Sequence, residues 1–185
     1  MASLGLLLLR SVTGFFLMGH GAQKLLGAFG GRGIEGTAAY FEGLGIKPGR
    51  PWARVAGTSE MAGGALTALG LFFPLGPVIS IAPMVVAWRR GHGDKPIWVN
   101  KGGAELPATN VTIACALILT GPGALSLDRL LGVRVPWWLS LLAMAATAGG
   151  IVVALDKEIH ELAEETRPEA REHRAERTEA VSSPT

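Results

Sequence analysis

Apolar segments of about twenty residues are the feature of this sequence that most constrains its fold. Met1–Met18 contains one charged residue, Arg10, and Trp137–Leu155 contains none. A helix of roughly twenty apolar residues crosses a hydrocarbon core about 30 Å thick. With 49% hydrophobic and only 17% charged residues, the chain is predicted to be an all-α integral membrane protein.

Glycine, proline and tryptophan residues divide the apolar sequence into five predicted transmembrane helices. The third is short and contains Pro83, which predicts a kink because proline removes a backbone hydrogen bond. The N-terminal run lacks a basic leader and a clear cleavage motif, so it is predicted to be a retained span rather than a signal peptide. The predicted spans are approximately Leu4–Gly27, Trp52–Phe73, Val78–Trp88, Leu106–Leu119 and Trp137–Leu155.

The distribution of charge predicts an orientation. If the five spans alternate across a bilayer, nine basic residues fall on the side reached after the first span, here called side A. Only three, Arg10, Arg129 and Arg134, fall on or near the opposite side B. The positive-inside rule then predicts a multi-pass cell-membrane protein with side A cytoplasmic, the N-terminus outside and the C-terminal tail inside. The basic residues lie at span ends rather than in one patch, which argues against nucleic-acid binding.

The last thirty residues differ in composition from the rest. Residues 1–155 carry twelve Lys/Arg and six Asp/Glu, whereas residues 156–185 carry five and nine. Residues 156–185 are therefore predicted to form a charged, partly disordered cytoplasmic tail that begins with a short helical continuation. Its histidines, His160 and His173, are predicted to be solvated.

Three ionisable residues inside the first two spans form the candidate catalytic site. At about 1.5 Å of rise per residue, His20 lies roughly 10 Å below side A, Lys24 roughly 5 Å and Glu60 roughly 12 Å. A carboxylate at that depth is costly unless it is paired, and His20 or Lys24 is the natural partner. Gln23 lies beside them. Two interpretations stay open: a structural ion pair between helices, or a polar pocket for a quinone head group or proton relay.

A second pair is predicted toward side B. Arg10 lies roughly 9 Å below that side at the same helical rise, and Asp128 follows the fourth span. A structural Arg10–Asp128 ion pair would compensate an otherwise expensive guanidinium.

The sequence offers little for a bound metal or redox cofactor. The single cysteine, Cys115, cannot form an intramolecular disulfide and excludes CxxC motifs. Haem ligation by His20 and His92 is disfavoured, because His92 lies in a polar loop where a solvated histidine is ordinary. No metal site is predicted, and the sequence leaves the cofactor open, with a quinone as one candidate.

Three segments resemble the DoxX family of small bacterial integral membrane proteins. They are LLLLRSVTGFFLMGHGAQKLLGAFGG in the first span, GGAELPATN before the fourth and GPGALSLDRLLG after it. The resemblance implies a four-helix transmembrane bundle over residues 1–132, to which residues 133–155 add a fifth helix. Glu105 lies near side A and is an additional candidate for the polar site, together with Gln23. The polar residues at family-type positions are Arg10, His20, Lys24, Glu60, Glu105 and Asp128.

The resemblance also implies a link to redox chemistry, since DoxX proteins are associated with membrane oxidoreductase complexes in oxidative-stress defence. The first hypothesis is therefore a membrane subunit or anchor of a quinone-linked or thiol/sulfur-linked redox complex; if it is an enzyme, it is a quinone-linked oxidoreductase subunit. His20 would hydrogen-bond or protonate a quinone oxygen, because imidazole titrates near neutral pH. Glu60 would orient His20, and Lys24 would favour anionic forms.

Two other functions are compatible with the sequence. One is a non-catalytic membrane scaffold that recruits soluble partners, and the other, a weaker hypothesis, is a small-solute permease. The expected partners are the lipid bilayer, soluble redox proteins on the cytoplasmic side and a second copy of the chain, with no nucleic acid.

Overall fold

The computed structural model describes residues 2–157 and 159–161, and all regular structure within those ranges is helical. The all-α class predicted from the apolar segments is confirmed for this part of the chain. Short helical turns at Ala28–Gly30, Ala87–Gly91 and Val99–Lys101 lie between the longer elements. The helices are α1 (Ala2–Leu26), α2 (Gly33–Gly43), α3 (Gly49–Leu69), α4 (Leu75–Val86), α5 (Glu105–Thr120), α6 (Leu127–Leu131) and α7 (Trp137–Leu155).

Glycine and proline set the boundaries of the long helices. α1 is followed by Gly27, whose φ of 69° lies in the left-handed region that favours glycine. α3 begins after Pro48 and is followed by Gly70, with a φ of 61°. The N–H group of Leu71 then donates to the carbonyl of Leu66 at 3.0 Å, which satisfies one of the last carbonyls of the helix.

Four helices, α1, α3, α4 and α5, form a bundle. α1 packs along α3, α3 along α4, and α4 along α5, while α2 lies against both α1 and α3. α7 packs on α4, where the Thr147 hydroxyl donates to the Val78 carbonyl at 3.4 Å. α4 therefore contacts α3, α5 and α7, and this central position is why it buries residues such as Pro77 and Ser80.

Glycines bring α1 and α3 into backbone contact. A Cβ atom on Gly64 would lie 2.6 Å from the Gly14 carbonyl oxygen, and one on Gly21 would lie 2.6 Å from that of Gly57. The glycines are seven residues apart on each helix, about two turns, so both pairs lie on the same seam. This seam fixes the distance between the helices that carry the candidate site.

Helices occupy the positions of all five predicted spans, but membrane crossing is a separate question. Within the described ranges, two helices, α1 and α7, are long and apolar enough to span a bilayer. α3 has 21 residues but contains Arg50, Arg54 and Glu60. α4 and α5 have 12 and 16 residues, fewer than the roughly twenty that a perpendicular span needs. By length and composition, α1 and α7 are therefore the candidate membrane spans among the described helices.

The predicted Arg10–Asp128 ion pair is replaced by separate bonds to the backbone. Arg10 donates to the carbonyls of Ala68, at 2.9 Å, and Leu125. The Asp128 carboxylate accepts the N–H groups of residues 72 and 73, each at 2.8 Å. The two charges interact at longer range, but no direct salt bridge joins these two described residues. The turns after α3 and α5 leave buried backbone groups that need partners, and these two side chains supply them.

One prediction about the C-terminal tail is wrong. His160 is buried, with 2% of its surface exposed. Its Nδ1 lies 2.7 Å from the Lys47 carbonyl, its Nε2 lies 3.0 Å from the Ala154 carbonyl, and its ring meets Trp52 edge-on. The segment after α7 therefore contacts the α2–α3 connection.

α7 ends at Leu155 and Asp156 is extended, whereas Lys157 and residues 159–161, where a helical continuation was predicted, are helical. The predictions for the rest of the tail, including the one for His173, fall outside the described residues.

Candidate functional site

A cavity of about 350 Å³ lies among the helices of the bundle, α2 and α7. Most of its lining is apolar and comes from α2, α3, α4 and α5, which makes it suited to a largely apolar ligand. A small number of polar side chains interrupt that lining, and these are the groups that can orient a ligand. They are His20, Lys24, Tyr40, Trp52, Ser59, Glu60, His92 and Asn110.

The strongest interaction at the cavity is the ion pair between Lys24 and Glu60. Lys24 Nζ lies 2.5 Å from Glu60 Oε2, and the side chains are 26% and 2% exposed. α1 carries the lysine and α3 the glutamate, and Gly57, next to Lys24 and Leu25, allows the close approach. Removing either partner from a buried pair leaves an uncompensated charge, so the two side chains constrain each other. Lys24 is thus engaged with Glu60 rather than only reaching toward an interface.

His20 lies on the same wall but is oriented by a different residue from the one predicted. Its Nδ1 is 3.0 Å from Gln23 Oε1, and the two residues are three apart on α1, which places them on one face. Glu60 lies near enough for its charge to interact with His20, but no hydrogen bond joins these two described residues. Gln23, rather than Glu60 as predicted, therefore orients the His20 ring.

The bond to Gln23 determines what His20 can offer a ligand. An amide oxygen accepts, so the proton of the neutral ring belongs on Nδ1 and leaves Nε2 as an acceptor. Within the described part of the chain, Nε2 has no hydrogen-bond partner. When the ring is protonated, Nε2 becomes a donor. His20 can therefore accept from a hydroxyl or donate to a carbonyl without breaking its bond to Gln23.

Two further polar side chains line the cavity, one on α5 and one after α4. The sequence did not indicate them as site residues. Asn110 lines the cavity, and its Nδ2 donates weakly to the sulfur of Met84 at 3.5 Å. His92 also lines the cavity and places Nδ1 2.6 Å from the Gly102 carbonyl. Asn110 had one visible signal, since it is an amide inside a predicted apolar span.

Glu105 does not join the site. Its Oε2 accepts the Val99 N–H group at 2.9 Å, and its own N–H group donates to the Ile97 carbonyl at 2.9 Å. Glu105 therefore closes the loop that precedes α5. It affects the cavity through that loop, because Val99 and Gly103 are lining residues and Glu105 is not.

A family model matches the N-terminal part of the chain. Residues 5–93 match the sequence model of the DoxX family. This part of the chain is a DoxX domain. The matched segment contains α1 to α4 and, with them, His20, Lys24 and Glu60. No curated protein and no solved structure matches the chain.

The DoxX match covers only the N-terminal part of the segments that resemble the family. It ends at residue 93, so the resemblance of the segments around Glu105 and Asp128 stays a prediction. DoxX proteins are membrane-associated, which agrees with the two long apolar helices of this chain.

Among the residues described, no cluster of three or more His, Cys, Asp or Glu side chains is arranged to hold a metal ion.

Proposed function

We propose that this DoxX protein is a multi-pass membrane protein whose cavity binds a quinone head group, and that it acts as the membrane subunit or anchor of a redox complex. The observation that supports this most strongly is the position of His20 and the Lys24–Glu60 pair on one wall of an otherwise apolar cavity. Ionisable groups buried in a membrane-associated protein are expensive and often mark a functional site.

The cavity has the size and polarity that a quinone requires. Its volume of about 350 Å³ falls within the usual range for small-molecule sites, roughly 300–1,000 Å³. Apolar walls suit the ring and the start of an isoprenoid chain. His20 on α1 and Asn110 on α5 offer polar atoms from two different helices, which suits a ligand with two oxygens.

The protein would contribute proton transfer and charge stabilisation rather than electrons. Reduction of a quinone to a quinol consumes two electrons and two protons, and the electrons would come from a soluble reductase or a thiol or sulfur compound. His20 would deliver a proton to one quinone oxygen from Nε2. Lys24 would stabilise negative charge that develops on that oxygen, while Glu60 would keep the lysine in place.

The multi-pass topology is part of the same proposal. Large apolar side chains are exposed on α1 and α7, including Leu8, Phe15, Leu141 and Val152, and a bilayer would cover them. α3, α4 and α5 pack in the same bundle as α1, and spans shorter than the hydrocarbon core can be accommodated by local thinning of the bilayer and by snorkelling of flanking residues. The basic loops favour a cytoplasmic side A.

Quinone binding to the purified full-length protein tests the proposal directly. Titration calorimetry with decylubiquinone is expected to show binding by the wild type and about tenfold weaker binding by His20→Ala, the loss of one hydrogen bond of about 1.4 kcal/mol. Glu35→Gln is the control, because Glu35 is exposed on α2 and does not line the cavity. Absence of wild-type binding, or equal affinity in His20→Ala, would refute the quinone site.

A non-catalytic scaffold is the second candidate, and the Lys24–Glu60 pair also supports it. The pair joins α1 to α3 and would stabilise a bundle that only recruits soluble proteins through its basic loops. Lys24→Met is expected to lower thermal stability under both functions, but a scaffold would bind no quinone in its folded wild-type form. The two functions therefore separate in one set of measurements.

A further inference from the structure

A second concave surface lies where the ends of α4 and α7 meet the α2–α3 connection. It has a volume of about 620 Å³, and we call it the basic groove. Its lining contains three Lys/Arg side chains and one carboxylate, so positive charge predominates. The lining residues are Leu44, Gly45, Lys47, Arg90, Lys157, His160 and Glu161.

The arginine of the basic groove is held in place by the end of α7. Arg90 Nη2 donates to the Leu155 carbonyl at 3.0 Å, and Nη1 lies beside Gly45. One bond of this kind uses one of the five N–H donors of a guanidinium. The remaining donors stay available to an anion, and the bond reduces the entropy lost when the side chain binds one.

His160 shapes the groove without needing to bind the ligand. Both of its ring nitrogens face backbone groups of Lys47 and Ala154, and the residue is buried. It fixes the segment after α7 against the α2–α3 connection and so positions Lys157 beside the groove. The wall that faces Arg90 is thereby built from tertiary contacts rather than from a mobile side chain alone.

We infer that the basic groove binds the phosphate group of an anionic lipid headgroup. Guanidinium and ammonium groups are the usual ligands of phosphate oxygens, and arginine can bind two of them at once. In the proposed topology, on which this inference rests, the groove at the ends of α4 and α7 lies at the level of the cytoplasmic lipid headgroups. Basic pockets at that level are typical binding sites for anionic headgroups.

The chain offers a matched pair of arginines for the test. Arg89 and Arg90 are adjacent, but only Arg90 lines the groove. The full-length protein, purified in detergent, is melted with and without phosphatidylglycerol, and the lipid-induced shift in Tm is compared between variants. Phosphatidylcholine and inorganic phosphate serve as the two comparison ligands, since one lacks net charge and the other lacks acyl chains.

Phosphatidylglycerol is expected to raise the Tm of the wild type and of Arg89→Gln by several degrees, and to have at most half that effect on Arg90→Gln. Arg90→Lys, which keeps the charge, is expected to retain most of the shift. If Arg90→Gln does not fold, Lys157→Gln replaces it, with a reduced shift expected. Counting phosphatidylglycerol molecules bound to each variant by native mass spectrometry provides a second readout that does not depend on stability.

The result that would overturn the inference is an equal phosphatidylglycerol shift in wild type and Arg90→Gln, or an equal shift with phosphatidylcholine. If inorganic phosphate alone reproduces the shift and depends on Arg90, the phosphate site stands and its source is soluble. Quinone affinity measured on the same variants keeps this site distinct from the cavity, because Arg90 and Lys157 do not line the cavity.

Discussion

Lys24 on α1 and Glu60 on α3 form an ion pair of 2.5 Å at the wall of the central cavity, with Glu60 almost completely buried. A carboxylate taken out of water is tolerated only when its charge is compensated. The pair therefore explains how a glutamate remains inside a bundle with mainly apolar walls. It also links the packing of the two helices to the chemistry of the cavity, because both side chains line it.

Breaking this pair is expected to destabilise the protein strongly. Lys24→Met leaves Glu60 buried without its partner and is expected to cost about 3–5 kcal/mol. Lys24→Met combined with Glu60→Leu removes both charges and is expected to recover much of that loss. Thermal unfolding of the purified variants in the same detergent measures both effects.

The exposed pair Arg50–Glu35 is the control for that experiment. Its atoms are 2.8 Å apart, but the side chains are 56% and 70% exposed. Arg50→Gln is expected to cost less than about 1 kcal/mol because solvent screens the interaction. Equal losses for Lys24→Met and Arg50→Gln would contradict the role given to the buried pair.

Glycine contact between α1 and α3 predicts a position-dependent response to alanine. A Cβ on Gly14 would overlap the backbone of Gly64 and Ala68, so Gly14→Ala is expected to destabilise the protein by about 1–3 kcal/mol. Gly19, on the same helix, has no atom near the corresponding position. Gly19→Ala is expected to be neutral or stabilising by up to about 1 kcal/mol, and a similar loss for both variants would argue against the seam.

The contact of His160 with the α2–α3 connection predicts that the segment after α7 stabilises the bundle. His160→Ala removes the hydrogen bonds of the ring nitrogens with backbone groups of Lys47 and Ala154 and the ring contact with Trp52, and is expected to cost about 1–3 kcal/mol. Lys157→Ala, three residues earlier and exposed, is expected to change stability by less than about 0.5 kcal/mol. Chemical unfolding followed by helical circular dichroism compares the two; equal stability of His160→Ala and wild type would show that the segment docks without contributing.

The proposed topology predicts which loops a membrane-impermeant thiol reagent can reach. In a Cys115→Ala background, Lys101→Cys is expected to react in inside-out vesicles and Arg134→Cys in right-side-out vesicles. The physical reason is the concentration of basic residues on side A, which favours retention in the cytoplasm. Labelling of both positions from the same side would refute the alternation of spans between them.

The sequence was sufficient to locate the long helices because hydropathy, glycine and proline are local signals. α2 was missed, since its residues, such as Thr37 and Tyr40, are small or polar and carry no long apolar run. The depth estimate brought Glu60 to the level of His20, with Lys24 about one helical turn closer to side A, but it could not choose which of the two is the partner of Glu60. That choice depends on side-chain geometry between α1 and α3.

The partners of Asp128 and His160 were predicted wrongly for a different reason. Asp128 binds backbone N–H groups after α3, and His160 binds the carbonyl of Lys47, which is 113 residues away in sequence. Such partners come together only when distant parts of the chain pack against each other, so neither hydropathy nor residue spacing predicts them. Glu105 was likewise assigned by depth, whereas its position at the start of α5 places it beside the N–H group of Val99.

The two walls of the cavity differ in how far their helices can move to accommodate a ligand. The seam of α1 and α3 leaves no side-chain layer between the helices at Gly14 and Gly64, so the wall that carries His20 and Glu60 has almost no room to adjust. The facing part of α4 contains Pro83, which cannot donate a hydrogen bond within the helix, and is followed by a π-helical turn at Ala87–Gly91. Helices bend most readily at such positions. Ligands of different bulk would thus be accommodated on the α4 side, while the polar groups that recognise their oxygens stay at a constant spacing.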